Sequence, residues 1–278
     1  MSNIPNRIWQ SLRRIKWRLD RLLGRCGFKL ERTGQPGSSF FSQLLEERLK
    51  ISEEIVFVQI GANDGISNDP LYPLIKRFPK RFRGLVVEPL KDKFELLKRT
   101  YADVASVVPV NLAVHNTEEE MQIWRVRPDL EKKLPGWGGG LGSFDSEHHK
   151  HSQLDSSYFI GEKVFCTTFD DLLTRHRIES MELLVTDTEG YDFEILRNID
   201  FAKHRPTYIH FEHGLSVGTM SWERYKNLIR YLTQHGYCVS HETSDATAFL
   251  PAALDPQPSA PSSAQTSSLS WVAGTVTK

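Results

Sequence analysis

Four ionisable residues stand where an open α/β sheet would place its chemistry. Asp187 and Glu189 follow the apolar run Leu183-Leu184-Val185-Thr186, and Glu212 and His213 follow Thr207-Tyr208-Ile209-His210-Phe211. Ligands of such sheets bind outside the carboxyl ends of the strands, so acids and a histidine there are candidates for proton transfer. His213, with an unperturbed pKa of about 6.5, suits a general base at neutral pH, and Glu212 would orient it or the substrate. Neighbouring acids and histidines also serve purely structural hydrogen bonds.

A binding turn lies upstream. Val56-Phe57-Val58-Gln59-Ile60 reads as a buried parallel strand running into Gly61-Ala62-Asn63-Asp64-Gly65, and Leu85-Val86-Val87 as the next strand, ending at Glu88-Pro89. Glycine lets backbone approach a ligand where a Cβ would collide, and a carboxylate at the tip of the second strand accepts hydrogen bonds from both hydroxyls of a ribose. Charged hydrogen bonds of that kind are worth about 1.5–3 kcal/mol each. A dinucleotide fingerprint wants G-x-G-x-x-G, so that helix-start amides close around a pyrophosphate. Here Gly61 and Gly65 are separated by three residues, and Asp64 puts negative charge where a phosphate would lie. A nucleoside cofactor without phosphate fits better, and S-adenosylmethionine is one.

The elements that must position these residues alternate between strand and helix. After the turn, Asn68-Asp69-Pro70 predicts a helix start, with Leu71, Leu74, Ile75 and Phe78 inward. A second helix is expected near 91–101, then a strand over 105–114 and another over 121–126. A long irregular stretch, 127–161, carries five glycines around Trp137, as a lid or binding loop would. Strand 164–167, helix 169–176, strands 183–187 and 207–214, helix 222–235 and strands 237–240 and 246–250 complete the pattern. It predicts a doubly wound, mostly parallel, seven-stranded Rossmann-like sheet.

Length and composition bound the rest. The 278 residues carry equal numbers of acidic and basic side chains, and three scattered cysteines, Cys26, Cys166 and Cys238, give neither a disulfide framework nor a zinc site. A reducing cytoplasm suits them. Residues 1–35 hold nine Lys and Arg against Asp20 and Glu31, with Ile8, Leu12, Ile15, Leu19, Leu22 and Cys26 at helical spacing. That amphipathic helix fits an anionic membrane surface, giving a peripheral contact, or packing against its own domain; its arginines interrupt any span or signal peptide. Basic and aromatic residues do not continue into the fold, so a nucleic-acid partner is not expected. The expected organisation is a basic helical segment over 1–50, one catalytic domain over 51–250, and a disordered tail over 251–278, rich in Pro, Ser, Ala and Thr. His148, His149 and His151 lie in a polar loop beside Lys150, and no metal is predicted there.

Taken together, Gly61-Ala62-Asn63-Asp64-Gly65, Val87-Glu88-Pro89, Asn111-Leu112-Ala113-Val114, Thr168-Phe169-Asp170-Asp171-Leu172 and Asp187-Thr188-Glu189-Gly190-Tyr191 resemble the FkbM-type methyltransferases. The resemblance covers roughly 52–250 and implies a class I methyltransferase fold, S-adenosylmethionine as cofactor, and O-methylation of hydroxyls on sugars and other small natural products. It implies that Gly61, Asn63 and Gly65 line the methionine end, Glu88 the ribose, and Asn111 to Ala113 the adenine. Asp187 would face the cofactor amino group or the reacting centre. Many relatives carry an aspartate where this chain has Gln59, which leaves Asp64 or Asp187 to supply the charge facing the ammonium. Catalysis would then need alignment and a base, from among His213, Glu212, Asp187 and Glu189. A magnesium ion on Asp187, Glu189 and Glu212 would also activate a hydroxyl, although none is predicted. Two rival readings are an oxidoreductase using a nicotinamide dinucleotide and a non-catalytic membrane-associated binding protein with a vestigial cofactor site.

Overall fold

The computed structural model describes residues 39–117, 119–134 and 140–254. The amphipathic segment before residue 39, Trp137 and the tail after 254 lie outside the described residues. The chain partitions into units 1–43 and 44–278, with helix α1 (Phe40–Ile51) crossing the boundary. The sheets and the candidate site belong to the second unit.

Its principal sheet has seven strands in the order β10-β11-β9-β8-β1-β2-β3. They are β1 (Ile55–Ile60), β2 (Phe82–Val87), β3 (Val107–Val110), β8 (Leu183–Thr186), β9 (Tyr208–Glu212), β10 (Cys238–His241) and β11 (Asp245–Phe249). Only β11 runs against its neighbours; the other six share one direction. The order answers the expected doubly wound sheet. From β1 the chain steps outward through β2 and β3, then returns to the other side of β1 through β8 and β9, so the strand order reverses between β1 and β8. Crevices for ligands open at such reversals, at the strands' carboxyl ends.

The core explains why these runs are strands. Val58, Ile60, Leu85, Val87, Leu184, Ile209 and Phe211 cluster on one face with Leu172, Leu196, Leu228 and Leu232, all buried. Those leucines come from α5 (Phe169–Arg175), α6 (Asp192–Asn198) and α7 (Trp222–Gln234). Thr168 and Ser221 cap α5 and α7 by accepting from the amides of Asp171 and Arg224. Helix α2 (Tyr72–Arg77) starts later than the sequence predicts, with Pro73 in its first turn. Asp69 still organises that start: its Oδ1 accepts from Leu71 N at 2.7 Å and Tyr72 N at 3.0 Å.

The strand expected over 105–114 is two strands in two sheets. Asn111 breaks it, its Nδ2 donating to the carbonyls of Glu88 at 2.8 Å and Pro89 at 2.9 Å. Beyond the break, β4 (Ala113–Val114) joins a second sheet of order β4-β7-β5-β6, with β5 (Glu120–Val126), β6 (Gly142–Ser143) and β7 (Phe159–Thr167). Part of the stretch expected to be irregular is therefore ordered, including a short helix α4 (Pro128–Glu131). The apolar centre of this sheet, Ile123, Val164, Cys166 and Ala113, closes on Leu90 just beyond β2. Arg125, 2% exposed, anchors it to α3 (Lys91–Thr100). Its guanidinium reaches both oxygens of Asp92, at 2.5 and 2.8 Å, and also Glu131 at 2.8 Å and Glu162 at 3.1 Å. A bidentate fork of this kind fixes geometry as well as charge.

Candidate functional site

The Gly61–Gly65 turn is shaped by backbone contacts. The amides of Gly61 and Ala62 both donate to Val87 O at 3.0 Å, joining the ends of β1 and β2. Gly61 has φ +82°, and a Cβ there would collide with the carbonyl oxygen of Asp187, at the end of β8. Gly65, at φ +72°, admits no side chain either, since Leu97 and Tyr101 of the α3 region stand 2.7 and 2.9 Å from where its Cβ would be. Asn63 also has positive φ, +48°, which asparagine tolerates better than most residues.

Glu88 is locked into this turn. Its Oε2 accepts from Asn63 N at 2.9 Å and its Oε1 from Leu90 N at 2.8 Å. Each oxygen keeps further acceptor capacity, which is what a ribose diol requires. Burial, at 5% exposure, pushes the Glu88 carboxyl up to about 7, opposed by the two amides and by Arg125 and Lys93. Asn111 and Ala113 lie alongside, Asn111 through its bonds to the Glu88 and Pro89 carbonyls and Ala113 in the buried end of β4.

Asp64 has a different job from the one its position suggests. Its Oδ1 accepts from the amides of Ile66 at 2.9 Å and Ser67 at 2.8 Å, and its Oδ2 from Ser67 Oγ at 2.7 Å. It caps the turn. Partial burial works against its charge, but the three bonds outweigh it and hold the carboxyl below its usual range. The resulting fixed negative charge beside the turn suits a cationic cofactor and opposes a pyrophosphate. Gln59, 3% exposed, donates its Nε2 to Asp69 Oδ2 at 3.1 Å. The structure thus sets a carboxylate one contact away from the amide that stands where many relatives have an acid.

Asp187 directly follows β8 with its carbonyl oxygen against Gly61, an exposed residue whose carboxyl is nonetheless set deep among protein atoms. Removal from bulk water and the neighbouring charges of Glu189, Asp192, Asp245 and Asp69 push its carboxyl well up. Glu212 is raised by the same causes, burial first and then Asp187, Glu189 and Asp192, and its Oε2 is buried with no hydrogen-bond partner. Asp187 and Glu212 follow the paired residues Thr186 and Phe211 of neighbouring strands, which sets these two carboxylates side by side. A cation brought to Asp187 would relieve the repulsion. Among the described residues no group of three or more His, Cys, Asp or Glu is disposed to hold a metal ion.

His213 does not join them, and the general-base role expected for it is corrected by the geometry. Its Nδ1 accepts from Leu215 N at 3.2 Å, and Nε2 donates to Glu242 O at 3.3 Å. The ring, 1% exposed, stacks on His241 with centroids 4.5 Å apart and planes 7° apart. Neither nitrogen is left to take a substrate proton. Burial, and then His241, lower its pKa to about 4. The folded state therefore resists protonation of His213, and its contribution to stability, complete above the unfolded pKa of about 6.5, is lost as pH falls toward 4. Denaturant titrations at pH 7 and 5 should show a steeper acid loss for the wild type than for His213→Gln, and equal slopes would mean the ring titrates freely.

Sequence reasoning missed His148. It is 2% exposed, lies in the segment after β6, and places Nε2 3.3 Å from Glu189 Oε2. Ser143 Oγ, from β6, donates to Glu189 O at 2.9 Å. The segment thus closes onto Glu189, whose backbone holds φ +51°, a conformation costly for a residue with a side chain. His148 stands among histidines that a metal test alone would dismiss, and no spacing rule links it to an acid 41 residues later.

A model of the methyltransferase FkbM domain matches residues 59–239, from Gln59 in β1 to Val239 in β10. Comparison with curated proteins finds no match. Among solved structures, the chain is similar to a Methanococcus jannaschii fibrillarin pre-rRNA processing protein, at 10% identity and a TM-score of 0.39, covering 72% of this chain and 68% of that one. It is similar to Aeropyrum pernix fibrillarin, solved with natively bound S-adenosyl-L-methionine, at 15% identity and a TM-score of 0.39, covering 72% and 67%. A precorrin-6y C5,15-methyltransferase from Geobacter metallireducens matches at 11% identity and a TM-score of 0.38, covering 79% and 93%. With the family match spanning the strands that carry Glu88, Asp187 and Glu212, the chain belongs to the FkbM methyltransferase family and is an S-adenosylmethionine-dependent methyltransferase of class I fold.

Proposed function

We propose that this enzyme is an O-methyltransferase acting on an uncharged hydroxyl, of a sugar, a glycan or another small natural product. The observation that carries the reading is the pairing of β8 with β9, which sets Asp187 beside Glu212 next to the Gly61 turn, with Glu189 two residues on, a site with acids to receive a proton. Glu88 holds the ribose and the Gly61–Gly65 backbone the methionine end. Asp187, with the fixed charge of Asp64 beside the turn, faces the cofactor's positive charge. When bound, the cofactor supplies a methyl group on a cationic sulfur.

Glu189 is the base in this reading. His148 engages its Oε2 and leaves Oε1 for the acceptor hydroxyl. Glu189 would accept the hydroxyl proton as the acceptor oxygen takes the methyl group that bound S-adenosylmethionine would supply, with S-adenosylhomocysteine as the leaving product. Asp187 and Glu212, whose pKa values are raised, are poorer acceptors at the outset but shape the field around the reacting oxygen. Among the described residues no helix is long and apolar enough to cross a membrane.

Incubation with S-adenosylmethionine labelled in the methyl group and a glycan panel tests the reading. The expected product is a glycan methyl ether. Label appearing on amino groups or on RNA bases, with glycans untouched, overturns it.

A further inference from the structure

A cavity lies where β4 ends and where α5 and α6 begin. It encloses about 270 Å³ and is lined by His115 and Asn116 after β4, Asp170 of α5, and Tyr191, Glu194 and Asn198 around α6, over an apolar base that includes Phe169 and Ile195. Nothing in the methyl-transfer chemistry above uses it. Tyr191 N bonds to Thr188 O at 3.3 Å. That tight turn keeps the Tyr191 backbone within about 11 Å of that of Asp187.

The lining defines the ligand. Tyr191 stacks on His115 with centroids 5.3 Å apart and planes 10° apart, and Phe144 meets both edge-on at 5.3 and 4.9 Å, which fixes a rigid aromatic wall. His115 Nδ1 is engaged by Thr117, through its hydroxyl at 3.1 Å and its amide at 3.3 Å, which leaves Nε2 for a ligand. Burial lowers the His115 pKa and keeps the ring neutral. Asn198 gives its Nδ2 to Glu194 O at 2.9 Å and retains its carbonyl oxygen.

The charges are already spent. Asp170 is paired with Lys203 at 2.6 Å and His204 at 2.9 Å, and Glu194 with Arg224. The lining has no lysine or arginine, so a phosphate would meet two carboxylates and no cation. The volume falls just under the roughly 300–1,000 Å³ of sites for drug-sized ligands, room for a single ring.

We propose that this cavity is a distal acceptor subsite that holds one uncharged, hydroxylated ring, a glycosyl unit next to the one being methylated. The inference rests on the O-methyltransferase reading above and goes further, since it makes the acceptor a glycan of more than one unit and excludes a phosphate-bearing chain. The aromatic wall takes the apolar face of the ring, while His115 Nε2, Asn116, Asn198 and Glu194 take its hydroxyls.

The test uses the full chain saturated with S-adenosylhomocysteine. Saturation-transfer NMR is recorded with methyl glycosides and disaccharides of common hexoses and 6-deoxyhexoses, and with a short RNA hairpin. At least one disaccharide should bind, and Asn198→Trp, which fills the mouth from an exposed position, should weaken it by tenfold or more. Asn116→Ala should weaken it by a few-fold, without the bulk of tryptophan. Calorimetry with S-adenosylhomocysteine is run on each variant, and its affinity should stay within about twofold. If the wild type binds S-adenosylhomocysteine but no saccharide, or if saccharide binding is indifferent to Asn198→Trp, or if the RNA binds and Asn198→Trp displaces it, the subsite is wrong while the cofactor site stands. A wild type that binds no S-adenosylhomocysteine strikes at the methyltransferase reading instead.

Discussion

Glu189→Gln should cut the rate of methyl transfer by about 10²–10⁴-fold, the contribution of a positioned base, while leaving S-adenosylhomocysteine affinity nearly unchanged. The amide keeps the size of the side chain and its contact with His148, and loses only the capacity to take a proton. His148→Ala should give a smaller fall in rate, since it frees the carboxylate to wander without removing it, and His148→Gln should recover part of the loss. Single-turnover transfer of label to the glycan identified from the panel measures both. A Glu189→Gln enzyme turning over at the wild-type rate would move the base to another group, with Glu212 the nearest candidate.

Glu88→Gln should weaken S-adenosylhomocysteine binding by about 10–150-fold, the loss of one charged hydrogen bond at 1.5–3 kcal/mol. Its pH dependence is the sharper test. Without ligand, Glu88 titrates at about 7, raised from 4.5 by burial, whereas a carboxylate that accepts from both ribose hydroxyls must be ionised. Binding at pH 6 should therefore release about one proton, and binding at pH 8 almost none, with affinity falling toward tenfold per unit below pH 7. For folding, a raised carboxyl pKa acts in the opposite sense to the lowered pKa of His213: its stabilising effect is complete below pH 4.5 and is lost as pH rises through 7. Calorimetry in buffers of different ionisation enthalpy reads the proton directly. Equal release by wild type and Glu88→Gln would detach the residue from the ribose.

The parts of this site that lie within one turn of the chain were legible beforehand. Gly61, Gly65, Glu88 and Asp187 follow their strands directly, and the glycine requirement is local to the turn. His213 misled because adjacency in sequence was taken for adjacency in space. Successive residues at the end of an extended strand face opposite ways, so if Glu212 looks toward Asp187, His213 turns toward the 242–245 loop. Asp64 was assigned a charge to offer, and its oxygens also cap the turn through Ile66 and Ser67, a local habit of aspartate that the sequence reading did not foresee. The division at Asn111 was invisible because an amide bonding two carbonyls from the Glu88 segment is a tertiary event. His148 and the His115–Tyr191 stack were unreadable for the same reason, since each pairs residues far apart in the chain.

The small sheet has one more implication. It is moored at two abutments, at one by Arg125 clasping Asp92 and at the other by Ser143 and His148 on Glu189. A roof tied down at both ends does not swing like a flap. Of the two, the Ser143 and His148 end, with two single contacts against a bidentate clasp, is the weaker. That weaker mooring grips the same residue assigned to take the proton, so whatever loosens it also unsettles the base.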